Sequence, residues 1–337
     1  MKGKAPKTKV DSIDRLIKKT GIDIQRGSEI LQPMEFVSTG SILLNQIIGK
    51  PGYPCSLITE IVGHSGGGKS LLCLIAASVA TSKGLYVILV DNENNYGTLE
   101  TREWLETFGI NLDFIIRIPP SDAEKSMNAT LTMLKELGDK CKLVIVDSAS
   151  AFVPEKILEK EIGDQTVALS AKLLHSWFDK LRVVNKYAAI LVINQHTSKI
   201  GMYGNPVTKG GGYAMKYDPH LSIEVKGSPI YGKDADTQGA SGMEIDVRIT
   251  KNKIGPIGRS AKVVINYSFG KFDLLEEIIN LAVTSGIIKK SVSYYYIGES
   301  AYQGKEKLKE KLLSSSKLLA KIIRRLGYDP SDFGLKG

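Results

Sequence analysis

Predominantly apolar runs recur along the chain, and each ends in a polar residue or glycine. They occupy residues 58–62, 86–90, 143–146 and 189–193. Runs without regular polar alternation are typical of parallel strands that helices cover on both faces. Segments with apolar residues at helical spacing separate them, at 69–82, 99–108, 122–137 and 167–185. The pattern predicts a mostly parallel, doubly wound α/β core.

The ends of the chain follow other patterns. Strands of antiparallel or mixed type are predicted at 221–226, 244–250 and 261–267, followed by a helix at 273–285 and two short basic helices within 304–326. Near the start, residues 11–19 form a short amphipathic segment that is too short to be stable unless it docks on another surface. We therefore predict an N-terminal segment (1–35), a core (36–270) and a small basic C-terminal domain (271–337).

Residues 63–70 have the spacing of a phosphate-binding P-loop. They read Gly63, His64, Ser65, Gly66, Gly67, Gly68, Lys69 and Ser70. Glycines let backbone N–H groups point at an anion, the lysine reaches the β- and γ-phosphates, and the serine hydroxyl ligates Mg²⁺. A predicted strand precedes the motif and a predicted helix follows it, which places the phosphates of ATP at a helix N-terminus.

Three of the predicted strands end in side chains suited to nucleotide hydrolysis. Glu93, Asp147 and Gln195 follow the second, third and fourth runs. In open α/β sheets the ligand lies at the carboxyl ends of the strands. Asp147 is placed to hold Mg²⁺, Glu93 to activate water and Gln195 to detect the γ-phosphate. The alternative is that these residues only form turns.

Composition adds limits and one suggestion. The net charge is +9, and the excess of basic residues is concentrated at the two ends, which suits a polyanion such as nucleic acid or else a solubilising surface. No apolar run approaches the ~20 residues that span a bilayer, and Pro6 interrupts the basic N-terminus, so we expect a cytoplasmic protein without a membrane partner. The three cysteines are isolated, which favours buried reduced thiols.

A long glycine-rich stretch follows Gln195. Residues 196–212 contain five glycines together with Lys199, Tyr203 and Lys209. A loop of this length inside a compact domain is usually functional or disordered. It could order on single-stranded nucleic acid, or it could be a simple connector.

The motifs taken together resemble those of the RecA recombinases, in the bacterial or phage branch, over roughly residues 10–330. The resemblance is carried by short strings at 37–41, 63–70, 144–148, 161–164, 193–195, 199–201, 204–206, 211–212 and 251–254. It implies a RecA-like P-loop ATPase core with a short N-terminal oligomerisation helix and a small C-terminal α/β domain.

The resemblance also implies roles for individual residues. Glu93 matches the glutamate that activates water, and Gln195 matches the glutamine that couples the γ-phosphate to the second DNA loop. Lys251 and Lys253 match lysines that reach the ATP of a neighbouring subunit, and the segment 11–19 matches the helix that docks on that subunit. The implied DNA contacts, from the first loop at 161–168, the helix after it and the second loop at 196–212, are Gly163, Asp164, Val167, Lys172, Lys199, Tyr203, Asn205, Lys209, Gly211 and Gly212.

The sequence departs from the family pattern in three places. The stretch from Glu93 to Gly109 is longer than the family norm, so Trp104 is assigned as the adenine-stacking aromatic with a core side chain as the alternative. Asp179 stands where another base is expected. The acidic C-terminal tail of bacterial members has no counterpart, which implies less restrained DNA binding.

We thus expect a DNA-dependent ATPase that uses ATP and Mg²⁺, forms a helical filament of its own copies on single-stranded DNA and exchanges strands with double-stranded DNA. The alternatives are a ring-forming helicase or motor on the same core, and a DNA-binding regulator with a decayed site. The intact Lys69, Ser70, Glu93 and Asp147 argue against the second alternative.

Overall fold

The computed structural model describes residues 16–20, 33–158, 167–198, 207–209, 212–232 and 239–333. The chain forms two compact units, residues 1–34 and 35–337. In the first, residues 16–19 are helical, in line with the predicted segment, whose residues 11–15 lie outside the described part. None of the described helices is long and apolar enough to cross a membrane.

The second unit contains strands and helices in alternation. The strands are β1 (Phe36–Val37), β2 (Tyr53–Pro54), β3 (Ile58–Gly63), β4 (Tyr86–Asp91), β5 (Ile115–Ile118), β6 (Cys141–Asp147), β7 (Ala189–Ser198), β8 (Val207–Lys209), β9 (Leu221–Tyr231), β10 (Ala240–Asn252), β11 (Ser260–Asn266), β12 (Lys271–Phe272), β13 (Lys289–Ser291), β14 (Tyr294–Ile297) and β15 (Ser300–Gln303). The helices are α1 (Ile42–Ile48), α2 (Lys69–Ser82), α3 (Leu99–Thr107), α4 (Ala123–Leu137), α5 (Glu155–Leu158), α6 (Val167–Val184), α7 (Gly212–Tyr217), α8 (Leu274–Thr284), α9 (Lys305–Leu313) and α10 (Ser316–Arg325).

One large sheet organises this unit. Its strand order is β12-β11-β10-β9-β3-β7-β6-β4-β5, and β8 pairs with β7 outside that path. The strands from β9 to β5 are parallel, whereas β10, β11 and β12 are antiparallel to their neighbours. Each strand and helix predicted between residues 58 and 285 is present, and the mostly parallel α/β fold is confirmed.

Helices cover both faces of the sheet, as the apolar runs predict. Along β6, Leu143 and Ile145 belong to the apolar core that includes α2, whereas Val144 and Val146 belong to the core formed with α4 and α6. Successive side chains of a strand point to opposite faces, so a strand covered on both sides is apolar throughout. The doubly wound arrangement follows from this pattern.

The C-terminal part has a core of its own. Helices α8, α9 and α10 and the small antiparallel sheet β13-β14-β15 enclose apolar side chains such as Ile278, Leu312 and Ile323. Ile42, the first residue of α1, also belongs to this core. The proposed domain limits at 35 and 270 stay predictions.

The structure differs from the expected long loop at 196–212 at both of its ends. Strand β7 continues through Ser198, and β8 pairs with it antiparallel, with His196 opposite Lys209 and Ser198 opposite Val207. Most residues at these positions are polar, so a search for apolar runs does not predict this strand pair. Residues 199–206 lie outside the described part.

Candidate nucleotide site and its surroundings

The P-loop joins the carboxyl end of β3 to the N-terminus of α2, as predicted. Gly68 is the N-cap of the helix, with φ of 87°, a left-handed conformation that favours glycine. A Cβ on Gly68 would also lie 2.4 Å from Cδ1 of Ile245 on β10. The left-handed backbone conformation therefore favours glycine here, and a side chain would in addition displace the end of Ile245.

Lys69 is folded back into the loop that carries it. Its Nζ donates hydrogen bonds to the carbonyl oxygens of Gly63, at 3.1 Å, and His64, at 2.7 Å. Burial lowers the pKa of this lysine, an effect opposed by the nearby carboxylates of Asp147 and Glu93. Phosphate oxygens could replace these two carbonyl acceptors, since a buried ammonium group needs charge-assisted partners.

Two hydroxyl groups donate hydrogen bonds to Asp147. Its Oδ2 accepts hydrogen bonds from Ser70 Oγ, at 3.0 Å, and from Tyr96 Oη, at 2.7 Å. Burial raises the pKa of Asp147, and the two hydroxyl donors only partly offset this. A serine hydroxyl beside a carboxylate is an all-oxygen donor set, which fits Mg²⁺.

Glu93 lies near Ser70 and Asp147, on the segment that follows β4. Its Oε1 accepts a 2.5 Å hydrogen bond from the hydroxyl of Ser148, the residue after Asp147, and its Oε2 lies 3.4 Å from the side-chain amide of Asn95. The Asp147–Ser148 peptide bond is cis. Both oxygens of Glu93 are thus oriented, while the side chain remains accessible to water.

The segment 92–97 is fixed by Asp91, the last residue of β4. This fully buried carboxylate accepts hydrogen bonds from the backbone N–H groups of Asn95 and Tyr96 and from the guanidinium of Arg117. Arg117 also donates to Asn94 at 2.7 Å. Asp91 therefore holds in place the loop that carries Glu93 and Tyr96.

Gln195 stands beside the P-loop, because its position on β7 pairs with Gly63 on β3. The backbone N–H of Gln195 lies 2.9 Å from Oδ1 of Asn194, and Nδ2 of Asn194 donates to the fully buried Glu60 at 2.9 Å. The end of β7 is thus held by polar contacts inside the sheet. Glu93, Asp147 and Gln195 thus lie at the carboxyl ends of neighbouring parallel strands, on the same side of the sheet, as predicted.

Trp104 belongs to an aromatic cluster at the edge of the core. Its ring meets those of Phe108 and Tyr267 edge to face, with centroids 5.0 and 5.6 Å away, and the residue is 38% exposed. This arrangement is compatible with both the stacking and the packing interpretation. The sequence analysis did not single out Tyr267, which stands directly after β11.

Lys251 and Lys253 lie towards the opposite ends of the parallel strands, beside the start of β9. Lys251 pairs in register with Ser222 at the start of β9, and Lys253 donates its backbone N–H to the carbonyl of His220. The P-loop begins at Gly63, at the far end of the strand adjacent to β9. Through Ser222, Lys251 is level with Glu60, so it lies two strands away from β3, roughly 10 Å across the sheet, and three residues before Gly63, roughly 10 Å along the strand.

Lys251 contacts the end of the short helix α7. Its Nζ donates to the backbone carbonyls of Lys216, at 3.1 Å, and Tyr217, at 3.0 Å. A lysine at a helix C-terminus satisfies carbonyl groups that have no partner within the helix. Lys251 is therefore tied to the segment that follows the second predicted DNA loop.

Most of the predicted DNA contacts fall outside the described residues. These are Gly163, Asp164, Lys199, Tyr203, Asn205 and Gly211. Of the rest, Val167 begins α6, Lys172 is exposed on that helix, Lys209 ends β8 and Gly212 begins α7. Asp179, the departure noted in the sequence, is ion-paired with Arg182 on the same helix.

Several residues of the site have little signal in the sequence. Tyr96, Ser148 and Arg117 do not belong to an apolar period or to the P-loop motif, and only the folded chain brings them to Asp147, Glu93 and Asp91. Ser148 could have been suspected, because it follows Asp147 directly. The position of Tyr96 within a turn of polar residues gave no such indication.

Comparison with known proteins agrees with this geometry. The family model of the RecA N-terminal domain matches residues 4–271. The chain belongs to the RecA family. The RecA protein of Chlorobaculum tepidum is 32% identical over 296 residues, covering 87% of this chain and 82% of the relative. A RecA protein of Thermus thermophilus is 31% identical over 318 residues, covering 91% of this chain and 90% of the relative.

A third RecA protein, from Francisella tularensis subsp. novicida, is 32% identical over 315 residues, covering 92% of this chain and 85% of the relative. Family membership makes the chain a RecA-type recombinase, of the class that binds ATP and DNA in recombination and repair. The coverage extends beyond the P-loop core into the C-terminal part, so the resemblance of the motifs is confirmed at the level of the family.

Proposed function

We propose that this RecA-family protein hydrolyses ATP when bound to DNA, assembles as a helical filament on single-stranded DNA, and catalyses homologous pairing and strand exchange with double-stranded DNA. The observation that carries the filament is the place of Lys251 and Lys253, towards the strand ends opposite their own P-loop. Side chains of this length do not reach across the sheet. Two chains stacked in a line would instead bring the lysines of one to the nucleotide of the next.

The hydrolytic step is supported by the contacts around the P-loop. Lys69 would exchange the carbonyls of Gly63 and His64 for phosphate oxygens and neutralise charge that develops on them. Glu93 would accept a proton from the attacking water, with the carboxylate held in orientation by Ser148. Phosphoryl transfer depends mainly on positioning and charge stabilisation, which this arrangement can supply.

Mg²⁺ would be held at Ser70 and Asp147. When bound, the ion would supply positive charge that neutralises the phosphates. Ser70 would offer its hydroxyl oxygen to the ion, and Asp147, whose carboxylate lies within hydrogen-bond distance of that hydroxyl, would supply negative charge. Tyr96 would keep Asp147 in orientation through its hydroxyl.

Assembly of copies is supported by an open sheet edge. Strand β5 has a partner on one side only, β4, among the described strands. No other described strand pairs with its outer side, so that side could take a strand of another chain. The remaining catalytic and DNA-binding assignments, including Gln195, Trp104 and the two DNA loops, come from the resemblance and are part of the proposal.

The experiment that tests the proposal combines two measurements. Steady-state ATPase rates are measured with and without single-stranded DNA, and the same mixtures are imaged by electron microscopy. We expect DNA to stimulate hydrolysis and open helical filaments to appear with DNA and a non-hydrolysable ATP analogue. Closed rings of fixed size would favour the motor alternative, and ATPase rates equal to those of Lys69→Ala would favour the non-catalytic regulator.

A further inference from the structure

Two histidine rings join the P-loop to the start of the second DNA loop. His64 is the second residue of the P-loop, and its exposed ring lies 5.3 Å from the ring of His196, centroid to centroid, at an interplanar angle of 44°. His196 directly follows Gln195 on β7. The contact therefore connects the loop that would hold the phosphates with the strand that leads into residues 199–206.

The surroundings of His196 fix the orientation of its ring. The side chain is 10% exposed, and Nε2 lies 3.3 Å from Oε1 of Glu224 on β9. Nδ1 is buried and has no hydrogen-bond partner among the described residues. Nε2 is therefore the ring nitrogen that faces a polar partner, and it is placed to donate its proton to Glu224.

The backbone gives His196 a place at the base of a hairpin. It pairs with Lys209 where β8 joins β7, and the preceding residue, Gln195, pairs with Gly63. A shift of the His196 ring would therefore be transmitted to both strands of the hairpin. On the other side of the contact, the carbonyl of His64 accepts the Lys69 hydrogen bond that a bound phosphate would compete for.

We propose that His196 is a positioning residue that couples the state of the P-loop to the hairpin of β7 and β8 through its contact with His64. The inference rests on the proposed function, in which the hairpin leads into a DNA-binding loop. When Lys69 leaves the carbonyl of His64 for a phosphate, the backbone of His64 is free to turn, and its ring moves against His196. The contact then has a different free energy with and without bound nucleotide, which is the requirement for coupling.

The test measures how strongly nucleotide controls DNA affinity. The dissociation constant of a fluorescent single-stranded oligonucleotide is determined without nucleotide and with a non-hydrolysable ATP analogue, and the ratio of the two values is the coupling. His196→Ala and His64→Ala should each lower this ratio at least fivefold. The double variant should lower it no further than the stronger single variant, because both substitutions remove the same contact.

Three variants separate positioning from a general structural role. His196→Phe keeps the ring but not the Nε2 proton, and partly exposed Glu224 can be hydrated instead, so the ratio should stay within twofold of wild type. His64 is exposed, so His64→Ala removes no core packing and remains informative if His196→Ala folds poorly. Lys262→Ala, a nearby cation paired with Glu244 and Asp246, should leave the ratio unchanged.

The outcomes distinguish this inference from the function on which it rests. A wild-type ratio near one would overturn nucleotide control of DNA binding itself, and the inference with it. A large wild-type ratio that survives in both alanine variants would overturn the inference alone. So would equal weakening of DNA binding with and without nucleotide, or losses that multiply in the double variant.

Discussion

Tyr96 donates its hydroxyl to Oδ2 of Asp147 at 2.7 Å, although the two residues lie 51 positions apart in the chain. The contact crosses from the segment after β4 to the end of β6. Burial raises the pKa of Asp147, and the Tyr96 hydroxyl is the first of the groups that lower it again. The tyrosine therefore favours the ionised carboxylate, the form that a Mg²⁺ site needs.

Tyr96→Phe should weaken the proposed metal site. A hydrogen bond to a charged group contributes about 1.5–3 kcal/mol, so we expect the Mg²⁺ concentration for half-maximal ATPase to rise about tenfold. Loss of the donor raises the pKa of Asp147 further, so the defect should be larger at pH 6 than at pH 8. The measurement is a Mg²⁺ titration of ATPase rate at both pH values.

Tyr86→Phe is the matched control for Tyr96→Phe. Tyr86 begins β4, and its ring contacts Phe114 with a centroid distance of 5.3 Å. Removal of its hydroxyl should leave the Mg²⁺ titration unchanged. Equal titration curves for Tyr96→Phe and wild type would show that the tyrosine does not support the metal site.

Lys69→Ala should abolish ATP hydrolysis. The substitution removes the only lysine of the P-loop. Its Nζ donates hydrogen bonds to the carbonyl oxygens of Gly63 and His64. The measurement is the steady-state ATPase rate with saturating single-stranded DNA. A residual rate within about twofold of wild type would remove the P-loop lysine from the mechanism.

Glu93→Gln should preserve ATP binding and block turnover. The amide is nearly isosteric with the carboxylate but is a very poor base, and general-base catalysis contributes about 10²–10⁴-fold. The hydroxyl of Ser148 can still donate to the amide oxygen, so the segment should keep its conformation. Nucleotide affinity and single-turnover hydrolysis are measured separately, and simultaneous loss of both would identify Glu93 as a structural residue.

The fold could be predicted from the sequence to the extent that it depends on local patterns. Strands β3, β4, β6 and β7 are apolar on both faces, so burial makes them visible. Strand β5 was missed because it is short, lies at an edge and contains Arg117. The resemblance implied a small C-terminal α/β domain, but the residue pattern did not locate strands β13 to β15, because most of their residues are exposed.

The candidate site was predictable where a motif fixes the spacing and unpredictable where the tertiary fold brings residues together. Lys69 and Ser70 are set by the P-loop, and Asp147 is set by its strand. Tyr96 reaches Asp147 only because Asp91 fixes the turn that leads from β4 to Tyr96. The contact between His64 and His196 likewise depends on the pairing of β3 with β7, which no local pattern reveals.

Lys251→Ala should reduce DNA-stimulated ATPase while leaving the P-loop of the same chain intact. The expected reason is loss of a cation that acts on the nucleotide of a neighbouring chain. Mixing Lys251→Ala with Lys69→Ala tests this, because an interface between an intact P-loop and an intact Lys251 can form only in the mixture. ATPase is measured across mixing ratios.

Recovery of activity at intermediate ratios would agree with a site shared between chains. Absence of recovery at every ratio, in mixtures shown by light scattering to co-assemble, would favour a site completed within one chain. Lys253→Ala is expected to behave like Lys251→Ala in the same mixtures.

Glu277 provides a prediction about stability. This carboxylate on α8 is 4% exposed and accepts hydrogen bonds from the hydroxyl of Ser41, at 2.8 and 2.9 Å, and from the backbone N–H of Leu43, at 3.2 Å. Burial raises its pKa to about 7, against these bonds, which lower it. The contact joins the N-terminus of α1 to the C-terminal part of the chain.

The sign of the pH effect follows from the raised pKa of Glu277. The folded state binds a proton that the unfolded chain, with a glutamate pKa of about 4.3, releases at lower pH. The stabilisation is complete below about pH 4.3 and is lost as the pH rises to about 7.

Glu277→Gln stays neutral at every pH. Its stability relative to wild type should therefore increase between pH 5 and pH 8, by up to about 3 kcal/mol. Thermal or denaturant unfolding of both proteins at the two pH values measures the difference, and Glu276→Gln is the control. Burial raises the pKa of Glu276, but Lys305 and Lys309 lower it overall, so that variant should show no such gain. A difference between Glu277→Gln and wild type that stays constant from pH 5 to pH 8 would contradict a titrating, buried Glu277.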